Sequence, residues 1–136
     1  MGRPYAYVVD YDLRFYAPRD DQNFRFTLWR LDPVAEAKVL RRLWIAPHDP
    51  PRANRYEAAM RRGDLFPPIV LLERHHHEKF GYELEAPEVV VEDGRHRLYA
   101  SRASKVPILA WIGRERGAAP ILGGTLVDEN AGAEVG

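Results

Sequence analysis

The sequence predicts an α+β fold: a small mixed sheet with short helices, preceded by an N-terminal β-hairpin. Three observations carry this. Apolar residues take every second position at Tyr5, Tyr7, Val9, Tyr11, Leu13 and Phe15, and again at Phe24, Phe26 and Leu28, which is the period of a strand. The stretch from Asp49 to Gly63 has the acid, the prolines and the closing glycine of a capped helix. Residues 87–111, PEVVVEDGRHRLYASRASKVPILAW, read as strand, turn, helix and strand.

Taken in order, the two aromatic stretches flank PRDDQN at 18–23, a turn cluster, and so define a hairpin over 5–31. Its aromatics suit a half-buried sheet face better than a stacking platform for a ligand. Asp32-Pro33 starts a helix over Val34–Arg42, with Val34, Ala37 and Leu40 facing inward. Leu43, Trp44 and Ile45 read as a short strand. The helix capped by Asp49 runs to about Arg62 and turns Ala53, Tyr56 and Met60 to one side. Arg61 and Arg62 belong on its solvated side, whereas Arg52 and Arg55 lie near its start and stay open to a role. Phe66–Leu72 is a strand led by two prolines.

His75-His76-His77 is expected on an exposed hairpin loop. Three adjacent histidines do not share one direction on a strand, and metal sites usually draw ligands from separate elements. Phe80, Tyr82 and Leu84 alternate and are expected to pair with the strand Glu88–Val91. Val106–Ile112 is the last strand. The Gly- and Ala-rich stretch from Gly117 on has no period and reads as a loosely ordered tail. The expected organisation is one domain over 1–116, with a core over 39–113, and a tail over 117–136.

Composition sets the outer limits. The chain has 136 residues, 20 basic and 20 acidic side chains and no cysteine. One domain is the natural size. Balanced charge gives no global field for nucleic acid or an anionic membrane, so any polyanion must be held by a local patch. Thiol catalysis, thiolate metal sites and disulfides are excluded. No apolar run is long enough to span a bilayer, and no segment has the pattern of a secretion signal. A soluble cytoplasmic protein is the expectation.

The chemistry concentrates at Asp93-Gly94-Arg95-His96-Arg97, between a strand and a helix. A helix start exposes unpaired backbone N–H groups, and the helix dipole favours anions there. Two guanidinium groups and an imidazole add charge-assisted donors. This reads as a pocket for phosphate or carboxylate. The plain alternative is that Asp93 caps the helix and the arginines are ordinary solvated residues.

The order strand, PHDPPR, basic helix, PPIVLL strand, VVVEDGRHR, short helix and VPILAW strand resembles the ParB/sulfiredoxin superfamily. The likeness spans roughly Leu43 to Ile112 and rests on the proline-led strand, the G-x-[HR]-R motif at a helix start and Lys105-Val106-Pro107 before the final strand. The resemblance implies binding of a nucleoside triphosphate (ATP or CTP) with Mg²⁺. Sulfiredoxin chemistry is excluded, because Arg95 stands where that branch has its cysteine. The helical DNA-binding domain usual in the ParB branch has no counterpart in this chain. The site residues are most similar to those of the free serine kinases. Pro47-His48-Asp49 stands for their P-H-E segment, and Asp93-Gly94-Arg95-His96-Arg97 for their D-G-H-H-R motif. Asp here replaces Glu, Arg replaces the first His, and their additional substrate-binding region is missing.

By that likeness, Asp49, Asp93 and His96 are the candidate catalytic residues, with Asp49 as the base. His96 and Arg97 match that family's phosphate-gripping pair; Gly94 and Arg95 at the same helix start, and Arg52 near the start of its own helix, complete the candidate phosphate-binding residues, with Asp93 the candidate Mg²⁺ ligand. The expected activity is NTP hydrolysis or kinase-like phosphoryl transfer, a chemistry that asks a protein mainly to position groups and neutralise charge. A second reading is a ParB-like nucleic-acid binder or nuclease, using a patch of the arginines in Arg41–Arg62 and Arg95–Arg102. A third is a catalytically inactive interaction module that forms a homodimer through the aromatic hairpin.

Overall fold

A computed structural model describes residues 18–44, 49–77 and 82–127. Among the described residues, five strands form one mixed sheet. In chain order the elements are β1 (Phe24–Leu31), α1 (Ala37–Leu40) running into a 3₁₀ turn (Arg41–Leu43), α2 (Pro50–Arg61), β2 (Ile69–His77), β3 (Tyr82–Asp93), α3 (Arg95–Ser104), β4 (Ile108–Glu115) and β5 (Thr125–Leu126). The strand order is β3-β2-β4-β1-β5. β2 and β3 pair antiparallel, β2 and β4 parallel, and β1 lies antiparallel to both β4 and β5. The α+β class expected from the sequence is the class observed.

α3 carries the chain from β3 over β2 to the slot beside it. β4 runs antiparallel to β3, as β2 does, so β2 and β4 end up as parallel neighbours. The core lies between the helices and one sheet face. Leu31, Ile69, Leu71, Ile108, Ala110 and Ile112 from the strands meet Leu40, Ala59, Met60, Leu98 and Ala100 from the helices. On the other face Phe26 and Leu72 lean over Gly113, where an added Cβ would stand 2.5 Å from the Phe26 ring. Among the described residues, no helix is long and apolar enough to cross a membrane.

Several expectations are corrected. The region 34–42 is not one helix: Asp32 accepts from Val34 N–H at 3.0 Å, residues 33–36 form a turn, and only Ala37–Leu40 is α-helical. Of its three expected core residues only Leu40 is buried, while Val34 is 50% exposed. Leu43 and Trp44 do not start a strand. The helix tightens into the 3₁₀ turn over Arg41–Leu43, as helices often do at their ends; Ile45 falls outside the described residues. β2 begins at Ile69 and not at Phe66, so both prolines precede the ladder they would interrupt.

The histidine run is not loop but the last three residues of β2. Tyr82 and Leu84 do not pair with Glu88–Val91. They belong to the same long strand, whose partner is β2, with Tyr82 opposite His77; Phe80 lies outside the described residues. Residues 117–127 are packed rather than loose: Leu122 is buried and Thr125–Leu126 pairs with β1. The first arm of the expected hairpin and residues 128–136 lie outside the described residues. The arm that is described, β1, has β4 and β5 as its neighbours.

Candidate functional site

The motif folds as strand, left-handed glycine, helix. Gly94 adopts φ 102° and ψ 28° immediately before α3. A Cβ there would stand 2.7 Å from the Ile69 Cβ, so both the conformation and the close approach to β2 require glycine. The Gly94 carbonyl accepts from Leu98 N–H at 2.8 Å and opens the helix. No side chain caps this end, which leaves the first N–H groups of α3 without a capping partner from a side chain.

The five motif residues part company beyond that point. Arg97 turns inward. One guanidinium nitrogen donates to the carbonyls of Pro67 at 2.7 Å and Pro68 at 3.2 Å, and the other to Asp93 at 3.1 Å. Its side chain is only 13% exposed, against 70% for Asp93. His96 is buried in the first turn of α3. Arg95 is the motif residue that lines an open cleft of about 430 Å³.

The other expected site residues form a pair of their own. Asp49 caps α2, accepting from Arg52 N–H at 3.1 Å, and its second oxygen lies 3.4 Å from Arg52 Nε. Neither lines the cleft. The structure thus brings Arg97 to Asp93 and Arg52 to Asp49, and leaves Arg95 facing a different set of neighbours. His48 lies outside the described residues.

That cleft opens between the α1–3₁₀ segment and strand β3. Lys38, Arg41 and Arg42 stand on one wall, Arg95 on the other, and Pro87, Val89 and Val91 of β3 with Val39, Leu43 and Ile121 supply the apolar lining. Glu88 is the single carboxylate among the described lining residues. Lys38 is absent from the sequence-based candidates, and Arg41 and Arg42 figure there only in a broad patch. The signal was present in the spacing 38, 41, 42, which is i, i+3, i+4 on a helix.

The wall that contributes Ile121 is tied down from three sides. Glu73, fully buried on β2, accepts from Ile121 N–H at 2.9 Å, Leu122 N–H at 2.8 Å and Arg114 Nε at 2.9 Å. Arg114 also donates to the Leu122 carbonyl at 2.7 Å and lies over the Trp29 ring at 4.6 Å. Glu36 accepts from Gly123 N–H at 2.6 Å, joining the start of α1 to the same segment. His75, on the strand end, donates through a ring nitrogen to the Ala119 carbonyl at 3.1 Å.

Among the described residues, no group of three or more His, Asp or Glu side chains is placed to hold a metal ion. Asp93, the expected Mg²⁺ ligand, has one oxygen engaged by Arg97, is largely exposed and does not line the cleft. In comparisons with known proteins, no family model, no curated protein and no solved structure matches this chain.

Proposed function

We propose that the protein binds a nucleoside triphosphate, ATP or CTP with Mg²⁺, in the cleft beside Gly94 and Arg95. The observation that carries this reading is Arg95 lining the cleft next to the start of α3. An anion there meets the Arg95 guanidinium on the first turn of α3, the end of a helix whose dipole favours negative charge. The apolar lining from Val89, Val91 and Leu43 suits the flat, weakly polar base of the same ligand. The likeness to the ParB/sulfiredoxin superfamily supports the same reading from the motif.

The activity proposed is hydrolysis or transfer of the terminal phosphoryl group. Mg²⁺ would come with the nucleotide's own phosphate oxygens, since Asp93, its expected ligand, is paired with Arg97 and does not line the cleft. Asp49 is engaged in capping α2, whereas Glu88 lines the cleft itself. Glu88 is therefore the first carboxylate to test as the group that orients a water or an acceptor hydroxyl.

The test is thermal stability against ATP, CTP, GTP and ADP, with and without Mg²⁺. A ligand at 100 times its Kd adds about 2.7 kcal/mol to the folded state. A shift with a triphosphate that is lost in Arg95→Ala supports the site. No shift with any of the four overturns it. Phosphate release by the wild type that is lost in Glu88→Gln, with binding retained, supports the activity.

Single-stranded nucleic acid is the second reading, favoured by the exposed Arg41 and Arg42 at the mouth of an open cleft. It predicts binding that weakens steeply with salt, and no detectable binding at low salt would end it.

A further inference from the structure

The motif gives the cleft one cation, and the other three come from a segment outside it. Lys38, Arg41 and Arg42 share a face of the helical stretch 37–43 because they are three and four residues apart. Leu40, on the other side, is fully buried, and Glu36 ties the start of the stretch to Gly123 N–H at 2.6 Å. The row is therefore held in place rather than carried on a free loop.

Lys38, Arg41 and Arg42 are exposed. Among the described residues none of them, nor Arg95, is in an ion pair. Arg52, Arg61, Arg62, Arg97 and Arg114 by contrast each have a carboxylate partner. Among the described residues, four cations thus share the cleft with one carboxylate, Glu88. Like charges gathered without counter-charges repel one another, and a polyanion bound between the two walls removes that repulsion.

We propose that Lys38, Arg41 and Arg42 hold the outer phosphates of the bound nucleotide, so that the cleft selects its ligand by phosphate number. This rests on the nucleotide reading above. Arg95 and the start of α3 engage the ligand from one wall, and the row on the facing wall meets the charge that a diphosphate and a triphosphate add to a monophosphate. Guanidinium groups suit this task because they are always charged and present forked donors to phosphate oxygens.

The experiment titrates the adenosine and cytidine mono-, di- and triphosphates into the full chain at low ionic strength. The variants are Arg41→Gln/Arg42→Gln and Lys38→Gln, with Lys105→Gln, an exposed cation just past the end of α3, as the control for general loss of charge. Wild-type affinity is expected to rise by roughly tenfold or more from mono- to triphosphate, the scale of a charge-assisted hydrogen bond. The double variant flattens that rise and keeps monophosphate binding within about twofold, while its unfolding midpoint stays near wild type because the two side chains are exposed and unpaired. Lys38→Gln flattens it in part, and Lys105→Gln leaves it intact. A rise that survives in the double variant, or that Lys105→Gln flattens equally, overturns the assignment while leaving the nucleotide site standing. No binding of any nucleotide to the wild type overturns both.

Discussion

Arg97 reaches back from the first turn of α3 and donates to the carbonyls that lead into β2. Those carbonyls, of Pro67 and Pro68, lie just outside the sheet ladder, and the guanidinium supplies the donor they need. Arg97→Ala is accordingly expected to lower stability by about 1.5–3 kcal/mol, the scale for hydrogen bonds to a charged group, as read by denaturant unfolding. Under the proposed site Arg95→Ala gives the opposite pattern, with stability near wild type and nucleotide binding lost. Gly94→Ala meets both a left-handed backbone and the Ile69 side chain, and a loss of about 1–3 kcal/mol or more is expected from the backbone alone. At the start of β1, Asp21 accepts from Phe24 and Asn23 N–H, each at 2.7 Å. These bonds hold its carboxyl below the usual carboxylate range. The stabilisation is present above the ordinary carboxylate pKa and is lost as pH falls through the lowered one. The stability gap between wild type and Asp21→Ala should therefore shrink on acidification, as a set of unfolding curves from neutral pH down to about pH 3 would show. The sequence marked Gly94 as a special backbone position. It could not separate Arg95 from Arg97, because two residues apart on a helix start they point to different sides, and the carbonyls that claim Arg97 come from a segment about thirty residues earlier.

At the scale of elements, the segment after β4 is the part the sequence read least well. Gly117–Val127 has no hydrophobic period because it is held by polar contacts to the sheet, not by an apolar stripe. Glu73 is the centre of those contacts, accepting from two backbone N–H groups and from Arg114. Nothing in IVLLERHHH distinguishes a buried glutamate from an exposed one. Glu73→Ala leaves Arg114 and two N–H groups without their partner, and a loss of about 3–5 kcal/mol is expected, the scale for breaking a buried ion pair. Chemical denaturation of the variant checks it. The helix over 50–61 was legible in nearly every detail, because its signals are local: an Asp cap, prolines at the first positions and Gly63 at φ 88° after the end. Asp49→Ala is expected to cost about 1 kcal/mol, the usual worth of such a cap. The region 34–44 carried similar signals but tightened into the 3₁₀ turn after Leu40, and from that turn Leu43 and Trp44 still pack against the core.

At the scale of the whole molecule, the sheet order decides where the cleft lies. Because α3 carries the chain across β2, β3 is left outermost among the described strands, with β2 as its neighbour in the sheet. Its residues Pro87–Val91 then line the open cleft with the α1–3₁₀ segment. The sequence predicted the cores of β1, β2, β3 and β4, the helix between β3 and β4 and the α+β class, but not β5. The order of the strands came from pairings between distant segments, so the partner of the motif's Arg95 was out of reach of any local pattern. Lys38, Arg41 and Arg42 meet Arg95 only once the sheet is built. The central claim, that this meeting place is a nucleotide site, is tested most directly by equilibrium binding of ATP and CTP with Mg²⁺ to wild type and to Arg95→Ala, each shown to be folded. The account predicts saturable binding of at least one triphosphate to the wild type, weakened tenfold or more in the variant, the scale of one charge-assisted contact. Equal binding by the two proteins, or none by the wild type, would contradict it.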